Sequence, residues 1–140
     1  MKKSQNKKIS NVMDPVVHFE MPAKNKKRVS EFYSKAFGWQ MQQLGSEMSN
    51  YVLATTSPVD KKGMHKKSGA INGGFYEWSK EFKEPSVVIA VNNLKKSIEK
   101  VKKAGGKVLI KPMEIPGIGL YVSFRDTEGN RVGMLQPSPM

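Results

Sequence analysis

The hydrophobic pattern from Val16 onward alternates, with Val17, Phe19 and Met21 on one side of an extended segment and Val16, His18 and Glu20 on the other. Pro22 ends that predicted strand, and the apolar spacing then lengthens. Val29, Phe32, Tyr33, Ala36 and Phe37 recur three and four residues apart, which predicts an amphipathic helix stopped by Gly38. Three extended segments follow, at residues 40–44, 50–56 and 70–78, separated by Gly45-Ser46 and by a lysine-rich loop over 57–68. From Pro85 the same order returns. A strand at 86–91 and a turn at Asn92-Asn93 lead into a helix with Leu94, Ile98 and Val101 inward. That helix stops at Gly105-Gly106, and strands follow at 107–111, 120–125 and 131–136.

The two halves share core positions. Phe19 and Met21 answer Val87 and Ile89 at an offset of 68, while Val29 and Phe32 answer Ile98 and Val101 at 69. One four-stranded half would leave a sheet face exposed, so the halves must combine. The expected fold is α+β: two βαβββ modules, about residues 15–80 and 84–138, forming a curved eight-stranded mixed sheet around a cleft. Residues 15–140 are read as a single domain. Residues 1–14 are polar and lysine-rich, and are expected to be a mobile tail that adds little to folding.

Charge and composition narrow the classes of function. The chain of 140 residues carries a formal net charge of +12, which would concentrate anionic partners near it. Its lysines are nevertheless scattered in pairs along the chain without a nucleic-acid-binding motif, so a solvated basic surface is expected and nucleic acid is not. A basic interaction module is the third functional alternative. The sequence has no cysteine, which excludes disulfides, thiolate metal sites and a cysteine nucleophile. No apolar run is long enough to span a membrane, and a cytoplasmic location is expected.

The strings VVHFEMPA, EFYSKAFGW, GAINGGF, VVIAVNNLKKSIEKVKKAGGKV and DTEGNRVGMLQP together resemble the glyoxalase/bleomycin resistance protein/extradiol dioxygenase group, the vicinal oxygen chelate (VOC) superfamily, over about residues 15–137. The resemblance implies the two-module fold and, in the superfamily's metal enzymes, one divalent ion held by His and Glu side chains from matching strands. His18 matches the first histidine position, but Ser86 stands at the second and Gly133 at that of the closing carboxylate. A single His binds a divalent ion poorly. The first expectation is therefore a small-molecule binder without a functional metal and with no cofactor. The alternative is a metal-dependent glyoxalase-like lyase or dioxygenase, with His18, Glu20 and Glu77 as the remaining candidate ligands.

His18 and Glu20 are candidate catalytic residues or polar anchors, with a structural hydrogen-bonded pair as the competing reading. Tyr51, Asn72, Phe75, Ser86 and Tyr121 complete the expected ligand-binding set, and Trp39 and Phe124 are further aromatics that could line the cleft. Gly73-Gly74 is read as relief of crowding between modules. His65 is expected in solvent, and the segment Asp126 to Asn130 as a tight turn. The ligand is left unnamed by the sequence, and a homodimer, with or without exchanged modules, stays open.

Overall fold

A computed structural model describes residues 13–62 and 64–139. Most of the expected tail thus lies outside the described residues. Strand β1 (Val16–Ala23) leads through Asn25 into helix α1 (Lys26–Phe37). Strands β2 (Gln40–Gln43), β3 (Val52–Thr55) and β4 (Asn72–Glu77) complete the first module. The second runs through β5 (Ser86–Ala90), α2 (Leu94–Lys103), β6 (Lys107–Val108), β7 (Met113–Ile115), β8 (Gly119–Arg125) and β9 (Arg131–Pro137).

The helices start alike because each has an asparagine to accept from its first turn. The Oδ1 of Asn25 accepts from the Arg28 amide at 2.8 Å, and that of Asn93 from the Lys96 amide at 3.0 Å. They end differently. Gly38 takes a left-handed φ of 74°, whereas α2 closes on Ala104 with a right-handed conformation.

All the strands join one mixed sheet in the order β2-β3-β4-β1-β5-β9-β8-β6, with β7 paired to β8. The short β7 was not expected: the strand anticipated over 107–111 ends after Val108, and pairing resumes only at Met113. Among the described residues the sheet therefore has nine strands rather than eight. The halves meet where β1 and β5 pair antiparallel, with His18 opposite Val88 and Glu20 opposite Ser86. Subtracting the offset of 68 exchanges these two pairs, so the join follows an approximate twofold axis. Glu20 beside Gly74 and Val88 beside Gly133 repeat the same relation one strand outward.

One face of the sheet carries both helices. Under α1 lie Ala23, Val52, Ala54 and Phe75, with Phe19, Met21, Val29, Tyr33, Trp39 and Met41 packed around them. Leu94 of α2 packs with Val91, Val122, Phe124 and Met134 beneath it. Trp39, Phe75 and Phe124, expected among cleft candidates, are therefore core residues of the helix face. Phe75 follows Gly74, and strand alternation sends the two to opposite sides. Phe32 and Phe37 also differ from expectation, being 55% and 63% exposed. Val29 and Tyr33, four residues apart, take the inward stripe of α1, and Phe32 is left on its shoulder, edge-on to Tyr33.

Truncating Phe75, which is 1% exposed, should destabilise the protein by about 3–5 kcal/mol. Phe32→Ala should cost about 1 kcal/mol or less. Chemical denaturation of both variants checks the contrast.

Candidate functional site

Among the described residues the other face of the sheet carries no helix, and alternation delivers polar groups to it. Phe19 and Met21 are committed to the helix side, so His18 and Glu20 point away. Val122 and Phe124 likewise leave Tyr121 to the helix-free face, and Val52 and Ala54 leave Tyr51 there. Tyr51 and Tyr121 are equivalents in the two modules, at an offset of 70.

The four side chains meet. The Tyr51 hydroxyl lies 3.2 Å from one oxygen of Glu20, and the Tyr121 hydroxyl donates to the other at 3.0 Å. The Nε2 atom of His18 lies 3.2 Å from the Tyr51 oxygen. Because the carboxylate can only accept, Tyr51 spends its one proton on Glu20, and Nε2 of His18 must carry the hydrogen that reaches Tyr51. The result is a chain from His18 through Tyr51 to Glu20, with Tyr121 closing it from the second module.

Glycines make room for both rings. A Cβ on Gly74 would run into the Tyr51 ring, and one on Gly133 would come within 2.8 Å of Tyr121. Gly73 is buried against the Phe19 ring on the opposite side. The glycine pair thus relieves crowding, but from side chains on both faces of β4. Gly133, at the position where a carboxylate ligand is absent, also lets Tyr121 lie flat and reach Glu20.

Burial and charge fix the protonation of the cluster. Tyr51 and Tyr121 are both pushed well above the ordinary phenol range, first by burial and then by the charge of Glu20. They remain hydrogen-bond donors throughout the physiological range. His18 is lowered from its ordinary value by burial, against an opposing pull from Glu20. It is held neutral at neutral pH.

Other expected residues play different parts. The Asn72 Oδ1 atom accepts from the Thr56 amide at 2.9 Å, tying β4 to the end of β3. Ser86 is buried and donates to the Arg131 carbonyl at 2.8 Å, fixing β5 to β9. Glu77 lies 3.5 Å from the Lys26 ammonium and falls on the side of Phe75, away from His18 and Glu20. The three-ligand alternative of His18, Glu20 and Glu77 is therefore not assembled. Among the described residues no three His, Cys, Asp or Glu side chains are grouped to hold a metal. The donor set at His18 offers one imidazole, one carboxylate already bonded at both oxygens, and two protonated phenols, which does not fit a divalent ion.

Outside the cluster one expectation fails and one holds. His65 is half-buried rather than in solvent, bridged to Val59 within the loop. The turn matches its expectation: Asp126 accepts from the Glu128 and Asn130 amides at 2.8 and 2.9 Å, and Gly129 takes a φ of 86°. Bonds from the Asn130 side chain and from backbone amides lower the Asp126 pKa.

Sequence reasoning missed Tyr76 and Arg131. Tyr76 alternates with Phe75 and so shares the helix-free face, while Arg131 alternates with the core residue Val132. The Arg131 guanidinium lies over the rings of Tyr76 and Phe82, at 4.9 and 4.5 Å from their centroids. The period of β9 could have placed Arg131 beside Gly133; nothing in the sequence showed that Phe82 would return from its loop to meet it.

The Glyoxalase/Bleomycin resistance protein/Dioxygenase superfamily model matches residues 16–134, and the chain belongs to that superfamily. It is 33% identical over 123 residues to a glyoxylase-like domain-containing protein of Didymella fabae, covering 79% of this chain and 84% of the relative. Among solved structures it resembles methylmalonyl-CoA epimerase from Mycobacterium tuberculosis, with a TM-score of 0.64, 10% identity and coverage of 89% and 88% of the two chains. A hypothetical protein from Bacillus halodurans gives a TM-score of 0.65 at 12% identity, covering 91% and 96%. At these identities the structural matches establish the curved-sheet fold. Among the described residues no helix is long and apolar enough to cross a membrane.

The lowered pKa of His18 has a consequence for stability. The unfolded chain takes up the imidazole proton at a higher pH than the native protein does, so the contribution of neutral His18 is complete above about pH 6.5 and is lost as pH falls below it. Between about pH 7.5 and 5 the wild-type protein should lose more stability than His18→Asn. Denaturant midpoints at the two pH values measure the difference.

Proposed function

We propose that this protein binds a small organic molecule on the helix-free face, without a metal ion, through Glu20, Tyr51, Tyr121 and His18. The observation that carries the reading is the convergence of a tyrosine from each module on the two oxygens of Glu20. A few polar groups fixed in a concave, otherwise closely packed surface are the usual means of orienting a ligand. The surrounding floor is compact: Val88, Ser123 and the two glycines beneath the tyrosines are all buried. Both carboxylate oxygens already accept, so a ligand group at Glu20 is selected for a donor that uses the remaining lone pairs. The metal-free part of the proposal rests on the same donor set, in which protonated phenols stand where an ion would need anionic or imidazole ligands.

A second reading, catalysis by proton transfer, is favoured by the continuous chain from His18 through Tyr51 to Glu20. Hydrogen exchange into a bound ligand from deuterated water would distinguish turnover from binding.

A library of small polar compounds screened by thermal shift in the presence of a chelator tests the binding proposal. Hits should keep their affinity without metal and lose at least about tenfold, or about 1.4 kcal/mol, in Glu20→Gln. Ligands that require zinc or nickel, or that ignore Glu20→Gln in a folded variant, would overturn it.

A further inference from the structure

Across the helix-free face, register sets a row of residues. Glu20 on β1 is opposite Ser86 on β5. The parallel pairing of Val88 with Gly133 continues the row from Ser86 to Arg131 on β9. The bond between the Ser86 hydroxyl and the Arg131 carbonyl confirms that step. Arg131 is in turn directly opposite Arg125 on β8. Two strand spacings separate Glu20 from Arg131, a backbone distance of about 10 Å.

The facing arginines are a like-charge cross-strand pair, an arrangement that costs stability unless something neutralises it. Arg125 is partly satisfied, with Nη1 donating to the Gly129 carbonyl at 2.8 Å and Nη2 toward the Glu81 carbonyl at 3.4 Å. Arg131 takes no carbonyl or carboxylate among the described residues, and the ion pairs found there involve other side chains. Its guanidinium is instead laid over Tyr76 and Phe82. Stacking on aromatic faces holds the plane of the group while leaving its N–H edge to bind in the plane. Arg131 also comes within side-chain hydrogen-bonding reach of the Tyr121 oxygen and opposes the rise of that phenol, so one part of its N–H edge meets the Glu20 cluster while a guanidinium has five N–H donors in all.

We propose that Arg131 is an oxyanion subsite of the helix-free face, so that the ligand held at Glu20 carries a carboxylate that docks edge-on against the Arg131 guanidinium. This deepens the binding proposal above and rests on it. The ligand class is a small carboxylate with a hydrogen-bond donor at its other end: the carboxylate offsets the paired arginines, and the donor meets Glu20. Tyr121, between them, has its proton committed to Glu20 at 3.0 Å and offers a ligand only an acceptor oxygen.

The test uses succinamate, which has a carboxylate and an amide, against succinamide, which has the same length and no charge. Titration of each into isotope-labelled protein is followed through the Arg131 Nε–H resonance and the ring signals of Tyr51 and Tyr121. Succinamate should shift all three saturably, whereas succinamide should leave the Arg131 signal in place. Arg131→Gln should weaken succinamate by at least about tenfold, and Arg131→Lys, which keeps the charge but loses the planar fork, by several-fold. The lysine variant serves if the glutamine variant is unfolded. If both compounds shift the tyrosines equally and Arg131 does not respond, binding at Glu20 stands and the oxyanion subsite is wrong. If succinamate shifts only surface lysines, the subsite is overturned together with the use of this face for such ligands.

Discussion

A carboxylate placed among packed side chains needs donors on both of its oxygens, since an unsatisfied buried acceptor costs about 1–3 kcal/mol or more. At Glu20 those donors are the hydroxyls of Tyr51 and Tyr121, one from each module. This requirement organises the helix-free face. The tyrosines must cross the surface to reach the join, so the strands beneath them need glycine at positions 74 and 133. With the rings in place the floor is covered, and the phenols are desolvated enough to stay protonated. The module interface is thus polar at one point, on the side of the sheet opposite its two apolar cores.

The same arrangement gives structural roles to two positions where the resemblance calls for metal ligands. Gly133 stands where the resemblance calls for a carboxylate, and its lack of a side chain is what admits Tyr121. Ser86, at the second histidine position, is turned into the sheet to hold the start of β9. Neither substitution is a simple loss. Each gives a structural role to a position that could otherwise present a ligand, and the cluster that results is a set of hydrogen-bond donors and acceptors.

Strand and helix periods made much of this legible in the sequence. The repeat of Phe19 and Met21 as Val87 and Ile89 located the two modules, and the alternation through His18 and Glu20 assigned their face. Tyr51 and Tyr121 were among the aromatics offered for the cleft, and Ser86 came from the resemblance as the residue at the second histidine position. Phe75 was misassigned because the strand aromatics were offered for the cleft without a register for β4, in which Gly74 faces the helix-free side and Phe75 the core. Arg131 and Tyr76 were not legible, since their pairing depends on the path of the loop that brings Phe82 back to β9. Local periodicity carries no information about such a return. The short β7 was likewise not anticipated, since residues 113–115 fall between the strands expected at 107–111 and 120–125.

The central claim is that Glu20 links the modules through two phenol donors, and carbon-labelled tyrosine spectra address it most directly. The Cζ resonances of Tyr51 and Tyr121 report whether each hydroxyl donates to a charged acceptor. Replacing Glu20 by glutamine, which keeps the shape and removes the charge, should move both resonances together and leave that of Tyr33, on the helix face, where it was. Unchanged Tyr51 and Tyr121 signals, or a shift at one without the other in the folded variant, would contradict the account.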